Sequence, residues 1–321
     1  MAESITTPEA LVAALGLDPQ LAVAARRAAG TFRLRVPRSY VARMRPGDPD
    51  DPLLRQVLPV AQENEETPGY VPDPLGERSA VRVPGLLQKY RGRALLVTTG
   101  ACAVHCRYCF RREFPYDEQL GDGARWNEAL AAIAADPSLE EIILSGGDPL
   151  SLSDARLAAL TDALQAVPHV RRLRIHPRQP IVLPSRVDDG LLAWLGKLSR
   201  PVVIVVHANH PNEIDAEVHA ACQRLRAAGT TLLNQSVLLK GVNDDAAVLA
   251  SLSHRLFEAG VLPYYLHALD RVRGAAHFEV EEERARRIAG ELAAMLPGYL
   301  VPRLVREVHG AASKVALPPL P

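Results

Sequence analysis

The stretch Ala94-Leu-Leu-Val-Thr98, followed by Thr-Gly-Ala-Cys102-Ala-Val-His-Cys106-Arg-Tyr-Cys109, begins the regular part of this 321-residue sequence. From Ala94 onward, short apolar and β-branched runs alternate with amphipathic stretches of helical length. Such alternation is typical of β–α units, and six units in strict order predict a parallel sheet. The sequence therefore predicts an α/β fold, either a partly closed six-unit barrel or an open, doubly wound sheet.

Each unit pairs one strand with one helix. The predicted strands are Ala94–Thr98, Glu141–Leu144, Arg172–Ile175, Val202–Val206, Leu232–Leu238 and Pro263–Leu266. The predicted helices are Ala124–Ala135, Leu152–Ala166, Asp188–Leu198, Glu213–Ala228, Asp244–Ala259 and Val280–Leu296. Earlier in the chain, Thr7-Pro8 and Asp18-Pro19 predict two helix starts, because each places a capping side chain before a proline. The segment from Arg45 to Glu77 is rich in Pro, Gly, Asp and Glu, which predicts a long surface segment or a disordered linker.

Composition and charge set the broad class of protein. Hydrophobic residues make up 48% and charged residues 23%, which is enough apolar material for a sizeable core. The 37 basic residues balance 37 acidic ones, so no basic field predicts nucleic-acid binding. The apolar run at Val202–Val206 is too short for a membrane span, and Met1-Ala-Glu-Ser4 shows no secretory signal. We therefore expect a cytoplasmic protein without nucleic-acid or membrane partners.

Chemically capable side chains concentrate where the predicted strands end. They occur in the stretches Cys102–Cys109, Ser145–Leu150, His176–Arg178, His207–Asn212, Lys240–Asp244 and His267–Asp270. Ligands of β/α arrays bind at the edge where strands end and helices begin. The sequence therefore predicts one site at this edge.

Three of the four cysteines form the spacing Cys-x3-Cys-x2-Cys. Cys102, Cys106 and Cys109 thus lie on one short loop, and thiolates are the natural ligands of iron–sulfur clusters. Cys222 falls on a predicted helix far along the chain and is expected to be a small core residue, which leaves one iron of a cubane cluster open. A Cys3His zinc site that uses His105 is the alternative, although its position beside Cys106 makes that geometry awkward. Three unrelated core cysteines are improbable at this density.

The cysteine motif, with Tyr108 directly before the third cysteine, resembles the radical S-adenosylmethionine superfamily. This resemblance implies a partial (β/α)6 TIM-like barrel with a 4Fe–4S cluster on three cysteines and S-adenosylmethionine on the open iron. Gly146, Gly147 and Asp148 resemble the superfamily's glycine-rich motif, which receives the methionine ammonium. Glycine lets the backbone come close and a carboxylate suits an ammonium group. The alternative interpretation is a turn followed by a helix N-cap.

Five longer stretches narrow this resemblance. They are Cys109–Tyr116, Ser145–Leu150, Asn209–Glu213, Asn234–Asn243 and Tyr264–Asp270. Together they resemble the lysine 2,3-aminomutases, over a match that runs from about Lys89 to Lys314. The resemblance implies an isomerase that uses pyridoxal phosphate as well as the radical, and that moves the α-amino group of lysine to the β-carbon.

The resemblance also assigns roles to individual residues. Glu307-Val-His-Gly-Ala-Ala-Ser-Lys314 is similar to the family's lysine motif, so Lys314 is predicted to hold pyridoxal phosphate. The small residues Gly310–Ser313 are predicted to admit its phosphate; without the resemblance, a lysine near a C-terminus is usually only solvated. Arg111 is predicted to bind the substrate carboxylate, and Asp270 and Glu307 are predicted to bind its distal ammonium. The alternative for each of the three is an ordinary salt bridge.

Four more residues are predicted to lie near the cofactors. Tyr90 and Arg93 resemble family residues around the pyridoxal ring and phosphate. His176 and Arg178 stand in a His-Pro-Arg sequence where the family usually has His-Thr-Arg, close to the adenosyl group.

The short length resembles the family members that make (R)-β-lysine for the modification of elongation factor P. Long catabolic members carry a C-terminal extension with zinc-binding cysteines that this sequence lacks. The resemblance implies a flavodoxin or ferredoxin as reductant, a functional link to elongation factor P and its lysyl ligase, and a homo-oligomer. The expected domains are an N-terminal helical extension (1–80), a (β/α)6 core (81–298) and a C-terminal segment that carries the lysine (299–321).

Two alternatives to this function stay open. The nearer one is a catabolic aminomutase for lysine, arginine or glutamate. Asp270 and Glu307 argue against glutamate, because two acids would repel its side-chain carboxylate. The more distant one is a non-enzymatic module that binds an iron–sulfur cluster or zinc.

Overall fold

The computed structural model describes residues 4–30, 32–120 and 125–320 as an alternation of strands and helices. The strands are β1 (Ser4–Ile5), β2 (Val36–Pro37), β3 (Val81–Val83), β4 (Leu86–Tyr90), β5 (Arg93–Thr99), β6 (Glu141–Gly146), β7 (Arg172–Ile175), β8 (Val202–Val206), β9 (Thr231–Val237), β10 (Leu262–His267), β11 (Arg303–Arg306) and β12 (Val315–Ala316). The helices are α1 (Pro8–Ala14), α2 (Pro19–Ala28), α3 (Arg38–Val41), α4 (Pro52–Arg55), α5 (Tyr116–Leu120), α6 (Arg125–Ala135), α7 (Asp154–Gln165), α8 (Gln179–Val182), α9 (Asp189–Leu195), α10 (Ala216–Ala227), α11 (Ala246–Glu258) and α12 (Glu282–Met295).

One large sheet runs in strict chain order from β3 to β12. Its strands from β5 to β11 are parallel, with the antiparallel pair β3 and β4 at one edge and antiparallel β12 at the other. Parallel crossovers are right-handed, so a sheet in chain order keeps its connecting helices on one face, as in a partial barrel. The predicted α/β class with a large parallel sheet is confirmed.

The six predicted strand–helix units all occur in the structure. β8 has the predicted bounds Val202–Val206. α6 spans Arg125–Ala135, and its predicted first residue, Ala124, lies outside the described residues. The helix predicted from Glu213 begins only at Ala216, because a short 3-10 turn precedes it and Asp215 caps α10. The sheet also extends beyond the six predicted strands at both edges, while the predicted domain boundaries stay a prediction.

Alternating side chains of the central strands separate the core from the site. Leu96, Ile142 and Leu144 are fully buried and belong to the core cluster that packs against Leu157 of α7. Each such side chain contributes about 1.5–3 kcal/mol through burial. Neighbouring residues on a strand point to opposite faces, so Ser145 faces away from this cluster toward the inside of the barrel.

The N-terminal residues form a second core beside the barrel. Thr7 Oγ1 accepts a hydrogen bond from the Ala10 amide at 3.4 Å, and Asp18 Oδ1 accepts one from Gln20 at 2.8 Å. Both predicted helix starts are therefore confirmed as α1 and α2. The sequence analysis found no secretory signal at Met1–Ser4. Residues 1–3 of that stretch lie outside the described residues.

The segment from Arg45 to Glu77 is not the surface segment that its composition predicts. Leu53, Leu54 and Val57 are fully buried and belong to the N-terminal core. Asp51 explains the difference, because its Oδ1 accepts hydrogen bonds from the Leu53 and Leu54 amides at 2.9 and 3.0 Å and caps α4. The Pro- and Asp-rich composition reflects the start of a short helix rather than a linker.

The C-terminal residues close back onto the sheet and onto α12. β12 pairs with β11 through Val305↔Ala316 and Arg306↔Val315, which makes residues 307–314 a connecting loop. After β12, the Leu320 amide donates to the Arg286 carbonyl oxygen at 3.0 Å, so the tail is bound to α12. No helix in the described part of the chain has the length and apolar content needed to cross a membrane.

Candidate functional site

The three motif cysteines lie close together in the loop that follows β5. Burial raises the pKa of the Cys102 thiol well above its usual value, and Asp148, Cys109 and Cys106 add to the rise. Burial, followed by Cys106, raises the pKa of Cys109 to about 11. All three are free thiols, and a metal that binds them would remove their protons. The donor set therefore fits an iron–sulfur cluster held on three corners.

The arrangement of His105 does not support the zinc alternative. Its Nδ1 lies 2.8 Å from the Arg33 carbonyl oxygen, and its ring stacks on Phe32 with centroids 5.0 Å apart. Throughout residues 4–30, 32–120 and 125–320, no three His, Cys, Asp or Glu side chains form a group that could hold a single metal ion. Cys222 is fully buried on α10, as predicted, and belongs to the hydrophobic core.

A buried group of charges that the sequence did not predict holds the cysteine loop in place. Glu63 accepts hydrogen bonds from Arg107 Nε at 2.8 Å, Arg107 Nη2 at 2.5 Å and Arg112 Nη2 at 2.7 Å. We call Glu63, Arg107 and Arg112 the Glu63 clamp. The Arg107 and Glu63 side chains are 0% and 1% exposed. The Gln56 carbonyl oxygen also accepts from the Arg107 amide, so the N-terminal residues fix the loop from outside the barrel.

The glycine-rich loop after β6 docks onto the backbone that leads into the cysteine loop. The Gly147 amide donates to the Thr99 carbonyl oxygen at 2.6 Å, and the Asp148 amide donates to the Ala101 carbonyl oxygen at 2.8 Å. A Cβ at Gly146, whose φ is +119°, would lie 2.6 Å from the Thr99 oxygen, and one at Gly147 would collide with Ala101. The two glycines therefore allow the close approach of the two loops.

The Asp148 carboxylate is largely occupied by backbone amides. Oδ1 accepts from Leu150 at 3.0 Å, and Oδ2 accepts from Arg178 and Gln179 at 2.7 and 2.8 Å. Burial raises the pKa of this carboxyl to about 6, although these hydrogen bonds oppose the rise. Asp148 thus joins the loops after β6 and β7 and keeps one lone pair of Oδ1 free. Its contact with a methionine ammonium stays a prediction.

The two residues predicted near the adenosyl group have different surroundings. His176 Nε2 is buried without a hydrogen-bond partner among the described residues, and burial lowers the pKa of this ring well below its usual value. The Arg178 guanidinium lies 3.1 Å from Glu213 and 3.2 Å from Gln56. His176 Nε2 is therefore available for a ligand contact, whereas Arg178 is paired inside the protein through Nη2, although its Nε also has no partner among the described residues.

Five charged residues form a continuous series that we call the charge ladder. Arg111 pairs with Glu77 at 2.6 and 2.8 Å, and Lys89 Nζ lies 3.4 Å from Glu77 and 2.8 Å from Glu307. At the other end, Lys314 Nζ lies 2.6 Å from Glu307 Oε2. Burial would raise the pKa of Glu307, but Lys314 and Lys89 outweigh it and lower this pKa to about 2. The ladder thus brings together Arg111, Glu307 and Lys314, three of the predicted site residues.

Glu77 and Lys89 are functional candidates that the sequence interpretation missed. Glu77 lies in the segment taken for a linker, and Lys89 served only to mark where the family match begins. The signal that could have found Lys89 is its place on β4, directly before Tyr90. No local sequence signal points to Glu77, because its partner Arg111 lies 34 positions away.

The remaining predicted residues surround the Lys314 end of the ladder. Burial, followed by Glu307, raises the pKa of Asp270 to about 7. Burial, again followed by Glu307, raises the pKa of Tyr90 to about 12, and the Arg93 guanidinium lies 4.6 Å from the centroid of the Tyr90 ring. A cavity of about 170 Å³ opens beside Tyr90 and Glu307. Its lining includes Lys89, Tyr90, Glu307, Gly310 and Ala311.

The structure therefore gathers the predicted residues into two neighbouring regions. One contains the cysteine loop and the glycine-rich loop, and the other contains the charge ladder and the cavity. Arg111 connects them, because its Nη1 donates to Ser145 Oγ at 3.0 Å and to the Gly146 carbonyl oxygen at 3.3 Å. The arrangement places three thiols at one end, and a buried arginine and buried carboxyl groups near the Lys314 amine at the other.

Comparisons with known proteins show what the chain is similar to. The Radical SAM superfamily pattern matches residues 96–251. The L-lysine 2,3-aminomutase of Escherichia coli is 51% identical over 99% of this chain and 93% of its own length, and that of Haemophilus influenzae is 48% identical over 97% and 92%. The Clostridium subterminale protein of the same name is 37% identical over 90% of this chain and 70% of its own. A radical SAM methyltransferase from Sphaerobacter thermophilus superposes over 69% of the chain at 20% identity, with a TM-score of 0.48.

Proposed function

The chain belongs to the lysine 2,3-aminomutase family of the radical S-adenosylmethionine superfamily, and we propose that it converts L-lysine to β-lysine with pyridoxal phosphate as second cofactor. Members of this family are isomerases, so the predicted enzyme class is confirmed. The superfamily implies a 4Fe–4S cluster and S-adenosylmethionine, as the cysteine motif predicts. The non-enzymatic alternative is therefore wrong.

We propose that Cys102, Cys106 and Cys109 ligate the cluster. When bound, the cluster supplies the electron that cleaves S-adenosylmethionine and makes a radical. The protein contributes position and exclusion of water. The glycine-rich loop lies against the backbone before Cys102, which supports its proposed contact with the methionine group, and the unpaired Nε2 of His176 supports a contact with the adenosyl group.

The proposed pyridoxal phosphate site is the cavity beside Lys314. When bound, pyridoxal phosphate supplies the π system through which the amino group migrates. Lys314 would attach it, Tyr90 and Arg93 would contact it, and Gly310 leaves open space for its phosphate. Gly310 has a φ of +77°, and a Cβ built there meets nothing within 4 Å.

The observation that carries the proposed substrate is the charge ladder. Arg111 is a buried cation suited to a carboxylate, while Glu307 and Asp270 are acids suited to a distal ammonium. An amino acid with a carboxylate at one end and a cation at the other matches these charges, and a second carboxylate would be repelled by the acids. L-lysine has this charge pattern, and so does arginine.

We further propose that the product is (R)-β-lysine for elongation factor P, made in the cytoplasm by a homo-oligomer that a flavodoxin or ferredoxin reduces. Support comes from the resemblance to the short members of the family. It also comes from the 51% and 48% identity to relatives that the chain covers almost completely, against 37% to the Clostridium protein.

Product identification tests the proposed function. The reconstituted protein receives isotope-labelled L-lysine, S-adenosylmethionine and a reductant under anaerobic conditions, with Lys314→Ala as the control. The expected result is β-lysine of the R configuration, identified by chiral separation and mass spectrometry. No β-lysine above the Lys314→Ala level would contradict the proposal, and a product from arginine alone would replace lysine as the substrate.

A further inference from the structure

Arg111 has almost no free hydrogen-bond donors in this structure. A guanidinium carries five N–H donors in a fixed fork. Nε and Nη2 donate to the Glu77 carboxylate at 2.6 and 2.8 Å, and Nη1 donates to Ser145 Oγ and to the Gly146 carbonyl oxygen. One N–H donor of Nη2 remains unused. A second carboxylate cannot bind Arg111 with two hydrogen bonds until one of these partners leaves.

Glu77 is the partner that matches an incoming carboxylate in chemistry. Its side chain and that of Arg111 are 5% and 6% exposed, so the pair is shielded from water and salt. The Glu77 amide donates to Asp73 Oδ1 at 2.8 Å, which fixes the backbone at the start of a 3-10 turn. The carboxylate is thus presented to Arg111 by an ordered loop outside the barrel.

Both ends of the proposed lysine site are filled by groups of the chain itself. Glu77 places a carboxylate on Arg111, and Lys314 places an ammonium on Glu307 at 2.6 Å. These are the two kinds of charge that lysine brings. Attachment of a cofactor would use the Lys314 amine, whereas nothing in cofactor binding removes Glu77.

On the basis of the proposed function, we propose that Glu77 is an internal competitor for the carboxylate end of the lysine site. Its carboxylate holds Arg111 in the substrate-free chain and gives way to the α-carboxylate of the substrate. Arg111 then keeps a carboxylate partner, because the α-carboxylate of lysine replaces that of Glu77. A diamine without a carboxylate cannot make this exchange and leaves Arg111 paired with Glu77.

The exchange makes Glu77 a competitor of the substrate, so its removal should tighten the binding of carboxylate ligands only. In Glu77→Gln the amide has similar shape but no charge, which leaves Arg111 without its anion. Lysine then binds without displacing a carboxylate. We expect its dissociation constant to fall about tenfold, in line with one charged hydrogen-bonded contact. The affinity for 1,5-diaminopentane should stay the same.

Calorimetric titration of the reconstituted holoenzyme, with S-adenosylmethionine left out to prevent turnover, measures both ligands. Glu9→Gln is the matched control, because Glu9 also pairs with an arginine, Arg26 at 2.6 Å, but on the surface. Glu77→Asp is the second variant. It keeps the charge on a shorter side chain that cannot reach both guanidinium nitrogens, so it should tighten lysine binding less than Glu77→Gln does.

The outcomes separate this inference from the proposed function. Tighter lysine binding in Glu77→Gln, with unchanged diaminopentane binding, supports the exchange. Equal or weaker lysine binding in both Glu77 variants, together with normal turnover by the unmodified enzyme, would overturn the exchange alone. Equal tightening for both ligands would also overturn it. A chain that binds no lysine in any form would overturn the exchange and the proposed function together.

Discussion

Two buried carboxylates from the same N-terminal segment pair with arginines in or directly after the cysteine loop, yet their surroundings differ. Glu63 lies between Arg107 and Arg112, with side chains 1%, 0% and 9% exposed. Glu77 pairs with Arg111, and Lys89 connects it to the cavity. The pairing within the Glu63 clamp, which we call the closed pair, is part of the architecture, because no ligand can reach it. The Glu77–Arg111 pair, which we call the open pair, connects to a cavity through Lys89, so its carboxylate can be exchanged for that of a ligand.

The largest effect should follow from breaking the closed pair. Glu63→Gln leaves Arg107 and Arg112 buried without their anion, which should cost about 3–5 kcal/mol of unfolding free energy. Because the clamp holds the cysteine loop, iron and sulfide content after anaerobic reconstitution should fall as well. Denaturant unfolding and metal analysis measure the two effects. Asp136→Asn, which breaks the surface pair with Arg82 at 2.6 Å, is the control. A stable Glu63→Gln chain with full iron content would contradict this role.

The next largest effect should come from the backbone contact between the glycine-rich loop and the residues that lead into the cysteine loop. In Gly147→Ala the new Cβ meets the Ala101 carbonyl, so the glycine-rich loop must move away from the cysteine loop. We expect a loss of about 1–3 kcal/mol of stability and weaker binding of S-adenosylmethionine to the reconstituted protein.

Gly298→Ala is the matched control, since a Cβ there meets nothing within 4 Å. Thermal unfolding and equilibrium dialysis distinguish the two variants. If Gly147→Ala bound S-adenosylmethionine as the unmodified chain does, the loop contact would have no part in ligand binding.

A smaller effect should appear when Arg111 of the open pair is replaced by a residue that keeps the positive charge but lacks the guanidinium group. A lysine side chain at position 111 cannot bind a carboxylate with the two parallel hydrogen bonds that an arginine makes. Arg111→Lys should therefore raise KM for the substrate L-lysine by roughly thirtyfold, or about 2 kcal/mol. Arg107→Lys, in the closed pair, should lower stability more than it raises KM. Steady-state kinetics test this, with Arg82→Lys as the surface control. Equal KM values for Arg111→Lys and Arg82→Lys would remove Arg111 from substrate binding.

The smallest effect should be a pH dependence that comes from Asp270, near Glu307 and Lys314. Burial and Glu307 raise the pKa of Asp270 to about 7, so this carboxyl is protonated below pH 7 and cannot attract an ammonium. Lysine affinity should fall about tenfold for each pH unit below 7 and level off above it. Calorimetry between pH 5.5 and 8.5, chosen as roughly one to two units around that pKa, measures the profile. The Asp270→Asn control should be flat, and an unchanged slope in this variant would assign the titration elsewhere.

The raised pKa of Asp270 also makes the stability of the folded chain depend on pH. The folded chain holds the Asp270 proton to about pH 7, whereas the unfolded chain releases it near the ordinary value of 3.8. The folded state therefore binds more protons between these values, and this group makes stability fall as pH rises through them. Asp270→Asn should abolish that loss, which is measured as a higher unfolding temperature of the variant at pH 8.

The sequence predicted the barrel strands, the cysteine loop and the glycine-rich loop because their signals are local. The run Val202–Val206 is β-branched throughout, and Gly146 and Gly147 follow the predicted strand Glu141–Leu144 after one intervening residue. The buried helix α4 could have been found in the same way, since Asp51-Pro52 repeats the capping signal of Asp18-Pro19. Overall composition concealed it.

The two carboxylate–arginine pairs could not be predicted from local signals. Glu63 and Arg107 are 44 positions apart, and Glu77 and Arg111 are 34 apart. Which acid meets which arginine depends on how the N-terminal core packs against the barrel. Spacing within the sequence carries no record of that packing, so only the folded structure distinguishes the closed pair from the open one.

The loop that carries Lys314 is tied down on both sides, by β11 before it and by β12 and the tail on α12 after it. A lysine on a free terminal arm would sample a large volume and would reach the cavity only part of the time. Here the conformational entropy of that search is lost once, during folding, rather than in each binding event. The amine therefore stands at a high effective concentration beside Glu307, a residue of the cavity lining, which would favour the proposed attachment of a carbonyl group.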